Sequence, residues 1–242
     1  MKIIAVGLGP GAENEMTGRA LAALRESDAI VGYEVYISLL GHLAEGKQIL
    51  TTPMKHEVER CKLAVEEALK GKTVAMVCSG DAGIYGMAGL LHEVAANYPQ
   101  IEIEVVPGIT AAISAAAVLG APLSHDFAVV SLSDLLTSWE LIKKRLKCAA
   151  EADFILCLYN PASKKRADYL AKACMIVSEF RSDDTPCGYV RNIGRAGQEH
   201  RILTLRELVS VQADMFTTVI IGNSTTKIIG GRLVTPRGYR GV

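Results

Sequence analysis

The segment SGDAGIYGMAG, Ser79 to Gly89, sets an acid and a tyrosine among closely spaced glycines, directly after the apolar run TVAMVC. Glycines at 80 and 83 would let the backbone approach a ligand closely or adopt positive φ. The carboxylate of Asp81 suits a ligand that carries hydroxyls or a positive charge. A phosphate does not fit, because the Lys-Ser/Thr end of a phosphate loop is missing and an acid stands where the phosphate would sit. The alternative for Asp81 is a cap on the helix that follows the turn.

Two further turns have related chemistry. GLGPGA, Gly7 to Ala12, formally matches the dinucleotide pattern G-x-G-x-x-G/A after a first strand. Against a dinucleotide stand Pro10, which offers no N–H, and Glu13 and Glu15, which would repel a pyrophosphate. The helical pattern also resumes only near Thr17, and no acid ends the second strand at the expected distance. In VVPGITAA, Val105 to Ala112, Thr110 either caps a helix of small residues or borders a ligand. Three such turns after three strands point to one shared edge, since ligands of open α/β sheets collect beyond the carboxyl ends of the strands.

The elements that must position these turns alternate between short apolar runs and longer helical patterns. KIIAV, a helix from about Thr17 to Glu26, AIVG, a helix from about Val35 and HEVERCKLAVEEALKG come first; TVAMVC, a helix ending near Asn97, IEIEVV and TAAISAAAVLG follow. This alternation predicts a largely parallel sheet covered by helices. After Gly120 and Pro122 the pattern restarts with FAVVSL, a helix around Trp139 to Ala150, FILCLY, a long helix, CGYV, EHRILTL and TTVIIG. The chain therefore reads as two α/β domains, 1–122 and 123–242.

Composition narrows the function classes. Twenty-six basic residues balance twenty-six acidic ones among 242, so no global field recruits nucleic acid or an anionic membrane, and any anionic substrate must be met locally. The six cysteines contain no C-x-x-C pair and read as small buried hydrophobes of a reducing compartment, and no protein-bound metal is expected. MKIIAV is too short for a secretory apolar region, and no uncharged apolar run approaches membrane-spanning length, so a soluble cytoplasmic protein is expected.

GLGPG, SGDAGIYGMAG, EVVPGITAA, LYNPASKKR and TTVIIGNS, in this order over nearly the whole chain, resemble the tetrapyrrole (corrin and porphyrin) methylase family. HDFAVVSLSDLLTSWE, SGDAGIYGMAG and VTPRGY narrow the resemblance to the branch that methylates C-17 of precorrin-3B or cobalt-factor III in cobalamin synthesis. The resemblance implies S-adenosylmethionine as cofactor, two α/β domains with the active cleft between them, a homodimer, and methyl transfer coupled to ring contraction with loss of the meso carbon C-20. A methylase acting at another ring position, a tetrapyrrole or nucleotide binder without catalysis, and a dinucleotide-binding oxidoreductase are the alternatives.

Carried over motif by motif, the resemblance assigns Pro10, Ser79, Gly80, Asp81 and Ile84 to the cofactor, with Thr110 and Ala111 of GITAA. From the second half it adds Tyr159 and Asn160 of LYNP, Ile193 of VRNIG and Thr218 of TTVIIG. One departure is visible: the family often has Asp-Pro after GxGPG, and here Ala12 and Glu13 follow Gly11. Ring contraction moves oxygen and protons at C-20, which calls for a general acid or base. His125 and Asp126, at the domain junction, are the catalytic candidates, with Ser133 and Asp134 nearby in sequence and Tyr85 as a macrocycle contact. The carboxylates of the substrate need a basic rim. Lys164, Lys165 and Arg166 follow LYNPAS, and Arg191 and Arg195 flank Asn192, arginine being favoured for bidentate contacts.

Overall fold

In the computed structural model, which describes residues 1–163 and 165–241, the run KIIAV becomes a strand buried on both faces. Ile3 and Ala5 of β1 (Lys2–Gly7) belong to one core cluster, and Ile4 and Val6 to another. Such a strand must be apolar at both parities, which is why it reads as an unbroken run. The chain divides into two compact units, Met1–Ala111 and Ala112–Val242.

The first unit continues through α1 (Gly18–Glu26), β2 (Ala29–Tyr33), the single turn α2 (Glu34–Ile37), β3 (Gln48–Thr52), α3 (Glu57–Leu69), β4 (Thr73–Cys78), α4 (Ala88–Ala95) and β5 (Glu102–Val106). Thr17 caps α1 by accepting from Ala20 N–H at 3.1 Å. All pairings are parallel, in the order β3-β2-β4-β1-β5. Helix α1 packs Ala20 and Leu24 on one face, and α3 and α4 pack Cys61, Ala64, Val65, Ala88 and Leu91 on the other. Strand β3 has no apolar run to announce it. It is an edge strand with most of its side chains in solvent, so QILTT carries no buried pattern.

The second unit comprises α5 (Ala111–Leu119), β6 (Gly120–Ala121), β7 (Phe127–Ser131), α6 (Trp139–Glu151), β8 (Ile155–Tyr159), α7 (Tyr169–Val177) and β9 (Pro186–Arg191), followed by β10 (Glu199–Thr204), α8 (Leu205–Leu208), β11 (Thr217–Ile221), β12 (Lys227–Ile229) and β13 (Arg232–Val234). Its main sheet has the order β10-β9-β11-β8-β7, and only β7 and β8 pair in parallel. The largely parallel sheet expected from the first half is found in the first unit, whereas this second α/β unit has a mixed sheet. β10 returns from β9 through a short loop, and β11 enters antiparallel between β8 and β9. The helix after β8 is also shorter than the sequence suggests, at nine residues. Helices α6, α7 and α8 cover one face through Ile142, Leu146, Leu170, Cys174, Leu205 and Leu208.

The division at Ala111 falls ahead of the Gly120–Pro122 punctuation on which the sequence reading places it. The helix between the two points stands with the second sheet: Leu119 is fully buried, and its methyls lie 2.8 Å from where a Cβ on Gly188 of β9 would stand. β6 then pairs with β13 in a small three-stranded sheet with β12.

Five of the six cysteines are buried and Cys148 is exposed. Burial pushes the thiols of Cys61, Cys157 and Cys174 up to about 12 and that of Cys78 up to about 11. Since the thiolate is the reactive form, a thiol reagent at pH 8 should titrate a single cysteine in the native protein and all six after denaturation. Rapid native reaction of more than one would contradict this core.

Candidate functional site

Strand order brings the three glycine-bearing turns together, because β1 lies between β4 and β5 and all three strands run the same way. GLGPG leaves β1, SGDAG leaves β4 and PGIT leaves β5 at adjacent positions. The first two turns pair directly: Gly9 N–H donates to Gly80 O at 3.0 Å, and Gly80 N–H donates to Gly9 O at 2.8 Å. The third presses against both. A Cβ on Gly7 would stand 2.5 Å from Gly108 N and 2.8 Å from Gly80 O, and a Cβ on Gly108 would overlap Gly80 O.

Asp81 ties this edge together. Its Oδ1 accepts from Gly83 N–H at 2.8 Å and Ile84 N–H at 3.2 Å, and its Oδ2 accepts from Gly108 N–H at 3.0 Å. The carboxylate therefore shapes its own turn and holds the turn after β5. The capping alternative is close to this, except that α4 starts only at Ala88 and the bonds form an Asx turn. Beyond Asp81, Ile84 and Tyr85 project into solvent at 42% and 57% exposure, Tyr85 with φ of 53°, a value costly for a bulky residue. Ser79, Thr110 and Ala111 are half-buried, and Pro10 and Gly80 are buried. No Lys, Arg or His occurs in 7–12, 79–87 or 107–111, so the turns themselves carry no basic side chain.

Sequence reasoning missed Arg60, which underlies this edge. It is 5% exposed, donates through Nη2 to the carbonyls of Pro53 at 3.0 Å and Thr52 at 3.4 Å, and sets Nη1 3.8 Å from the sulfur of Met87, where the Asp81 loop ends. Its Nε and the Thr52 hydroxyl are buried without partners.

The second unit gathers most of the remaining candidates at the carboxyl ends of β7, β8 and β9. Tyr159 ends β8, and its hydroxyl accepts from Ala112 N–H at 2.7 Å. Asn160 and Asn192 follow β8 and β9 in the left-handed region, both with φ of 52°, which asparagine tolerates better than most residues. Asn160 Nδ2 donates to Ser131 Oγ at 2.9 Å, and Ser133 N–H donates to the same oxygen at 3.2 Å. Ile193 and Thr218 are buried, Thr218 being paired with Val190 near the end of β9.

The cations at this edge already have company. Arg191 Nε donates to Asp214 Oδ2 at 2.8 Å, and the guanidinium of Arg195 stacks over Phe216 at 5.7 Å. Arg166 donates to Ser163 Oγ at 3.1 Å and lies 3.7 Å from Asp134, while Lys165 is exposed. Lys164 lies outside the described residues.

His125 and Asp126 are not part of this edge. They precede β7, whereas Ser131 to Asp134 follow it, so five residues of strand, roughly 16 Å at the usual rise, separate them. Asp126 O accepts from Ile155 N–H at the start of β8, and His125 is near enough to Asp153 to favour its carboxylate. Burial raises the Asp153 carboxyl, but hydrogen bonds from Ser224 with Arg181 and His125 nearby hold it below the ordinary carboxylate range. Proximity to the domain junction in sequence did not reveal strand direction. Among the described residues no group of three His, Cys, Asp or Glu side chains could hold a metal, and no helix is long and apolar enough to cross a membrane.

The chain is similar to known proteins over nearly its whole length. The family Tetrapyrrole (Corrin/Porphyrin) Methylases matches residues 2–209. A probable cobalt-factor III C(17)-methyltransferase of Salmonella typhimurium is 45% identical over 97% of this chain and 98% of its own. A cobalt-factor III methyltransferase of Priestia megaterium is 44% identical over 99% of this chain, which spans 45% of that longer protein. A precorrin-3B C(17)-methyltransferase of Sinorhizobium sp is 36% identical over 98% of this chain and 96% of its own. Among solved structures, the methyltransferase CobJ superimposes with a TM-score of 0.88 at 37% identity, covering 97% of this chain and 99% of that one.

The close-packed edge makes two stability predictions. Asp81→Ala should lower stability by about 1–3 kcal/mol, because three main-chain donors lose their acceptor. Gly108→Ala should cost about as much or more through overlap with the main chain of Gly80. Urea midpoints equal to wild type for both variants would show that the three turns are not interlocked.

Proposed function

Because the chain belongs to the tetrapyrrole (corrin/porphyrin) methylases, we propose that it methylates C-17 of a corrin precursor, cobalt-factor III or precorrin-3B, with contraction of the ring. What supports the reading is the joined edge of the first sheet: three adjacent, closely packed turns that carry the Asp81 carboxylate and no basic side chain of their own. Such an edge suits S-adenosylmethionine, which bears hydroxyls, an ammonium and a sulfonium but no phosphate. When bound, this cofactor supplies an electrophilic methyl group.

Pro10, Ser79, Gly80, Ile84, Thr110 and Ala111 would hold it largely through the main chain. Asp81 Oδ2 accepts one hydrogen bond from Gly108, so a lone pair is left for a hydroxyl or an ammonium. Tyr159, Asn160, Ile193 and Thr218 belong to the same proposal as the matching positions of the second unit. The chain's own contribution is to orient the acceptor carbon and exclude water. Ser133, Asp134, Lys165, Arg166, Arg191 and Arg195 would border the substrate, with Tyr85 exposed for contact with the macrocycle.

Cobalt-factor III is the preferred acceptor, since the relatives at 45% and 44% identity carry that name and the one named for precorrin-3B stands at 36%. The cobalt would be held by the macrocycle, as part of the substrate. A cytoplasmic homodimer without a resident protein metal completes the proposal.

Incubation of the protein with each precursor and S-adenosylmethionine labelled with carbon-13 in its methyl group tests the reading. The label should appear at C-17 of a contracted ring. A label at another carbon, or an uncontracted ring from a competent substrate, would instead identify a methylase of another ring position. Calorimetry should detect S-adenosylhomocysteine and not NAD, and the reverse result would restore the oxidoreductase alternative.

A further inference from the structure

The loop between β7 and α6 is fixed at both ends and apolar at its tip. Leu132 is fully buried in the core of the second unit. At the other end, Ser138 caps α6 by accepting from Leu141 N–H, and the ring of Trp139 packs 4.5 Å from that of Tyr169. Between them Asp134 is clamped: its Oδ2 accepts from Tyr169 OH at 2.7 Å, and its Oδ1 lies 3.7 Å from Arg166 Nε. The two residues that follow, Leu135 and Leu136, are 59% and 100% exposed. Two adjacent leucines held out in water by a polar clamp form an apolar surface directed at something that arrives from outside.

The place of the tip indicates the visitor. The loop leaves the carboxyl end of β7, beside Ser131 and the Asn160 bonded to it, and its clamp includes Arg166, with the exposed Lys165 adjacent in sequence. An apolar tip next to cations and amides complements a flat apolar body with anionic groups on its rim. We propose that Leu135 and Leu136 are substrate-positioning residues that pack against one face of the tetrapyrrole macrocycle, an inference that rests on the methylase reading above.

The test is the double variant Leu135→Ser/Leu136→Ser beside the apolar replacement Leu135→Met/Leu136→Met. For the serine variant, the Michaelis constant for the corrin precursor should rise about tenfold or more, the scale of a 1.4 kcal/mol loss. Its S-adenosylhomocysteine affinity, melting temperature and sedimentation should match wild type, and the methionine variant should restore the Michaelis constant to near wild type. An unchanged Michaelis constant in the serine variant overturns the proposal. So does a change of oligomeric state with parallel loss of activity, which would make the tip an interface between copies of this chain.

If wild type turns over neither precursor, the C-17 methylase reading fails separately. The tip is then judged by binding of a polycarboxylated porphyrin, followed by its visible absorbance. Weaker binding by the serine variant supports the inference, and equal binding, or none by wild type, overturns it.

Discussion

Three main-chain segments approach one another at the carboxyl ends of β4, β1 and β5 so closely that no methyl group fits between them. This contact makes Gly7 and Gly108 obligatory and requires the three strands to be neighbours in parallel. It also brings the Asp81 carboxylate within reach of the main chain of two turns at once. A ligand at this edge meets peptide groups in fixed positions. That is a pre-organised surface whose turns carry a carboxylate and no basic side chain, a character that does not suit phosphate.

Much of this was legible in the sequence. Glycines after unbroken apolar runs marked turns at strand ends, and the order of the five motifs identified the family. Strand order was not legible, because nothing in KIIAV or IEIEVV says which strand lies beside which. Nor was the part played by Asp81: an acid among glycines reads equally well as ligand contact or turn strut, and the decision rests on how many N–H groups the turn aims at it. Arg60 was hidden in a charged helical pattern. Its only signal was its place four residues before Ala64, on the stripe that also holds Cys61, Val65 and Ala68.

The second unit shows where periodicity fails as a guide. Strand and helix alternate there as they do in the first, yet the sheet is mixed: β11 is antiparallel and buried along its whole length, as a central parallel strand would be, so its pattern does not tell the two apart. His125 illustrates the same limit. Five residues of strand, whose direction the sequence does not state, carry it away from the edge that holds Tyr159 and Asn160. Charge is arranged locally too. Arg191 with Asp214 and Arg166 with Asp134 offset each other within a chain of zero net charge, so anionic groups are met by short-range geometry and not by a long-range field.

The insertion of β11 between β8 and β9 also has a consequence for biogenesis. The first unit's last strand, β5, sits at the margin of its sheet and ends at Val106, so that sheet has all its strands while much of the chain is still inside or behind the ribosome. The second sheet lacks its middle strand until Ile221 has been synthesised and cleared the exit tunnel. Until then the facing edges of β8 and β9 have no partner, a nascent-chain interval in which unpaired strands invite mispairing and holding by chaperones has most to protect.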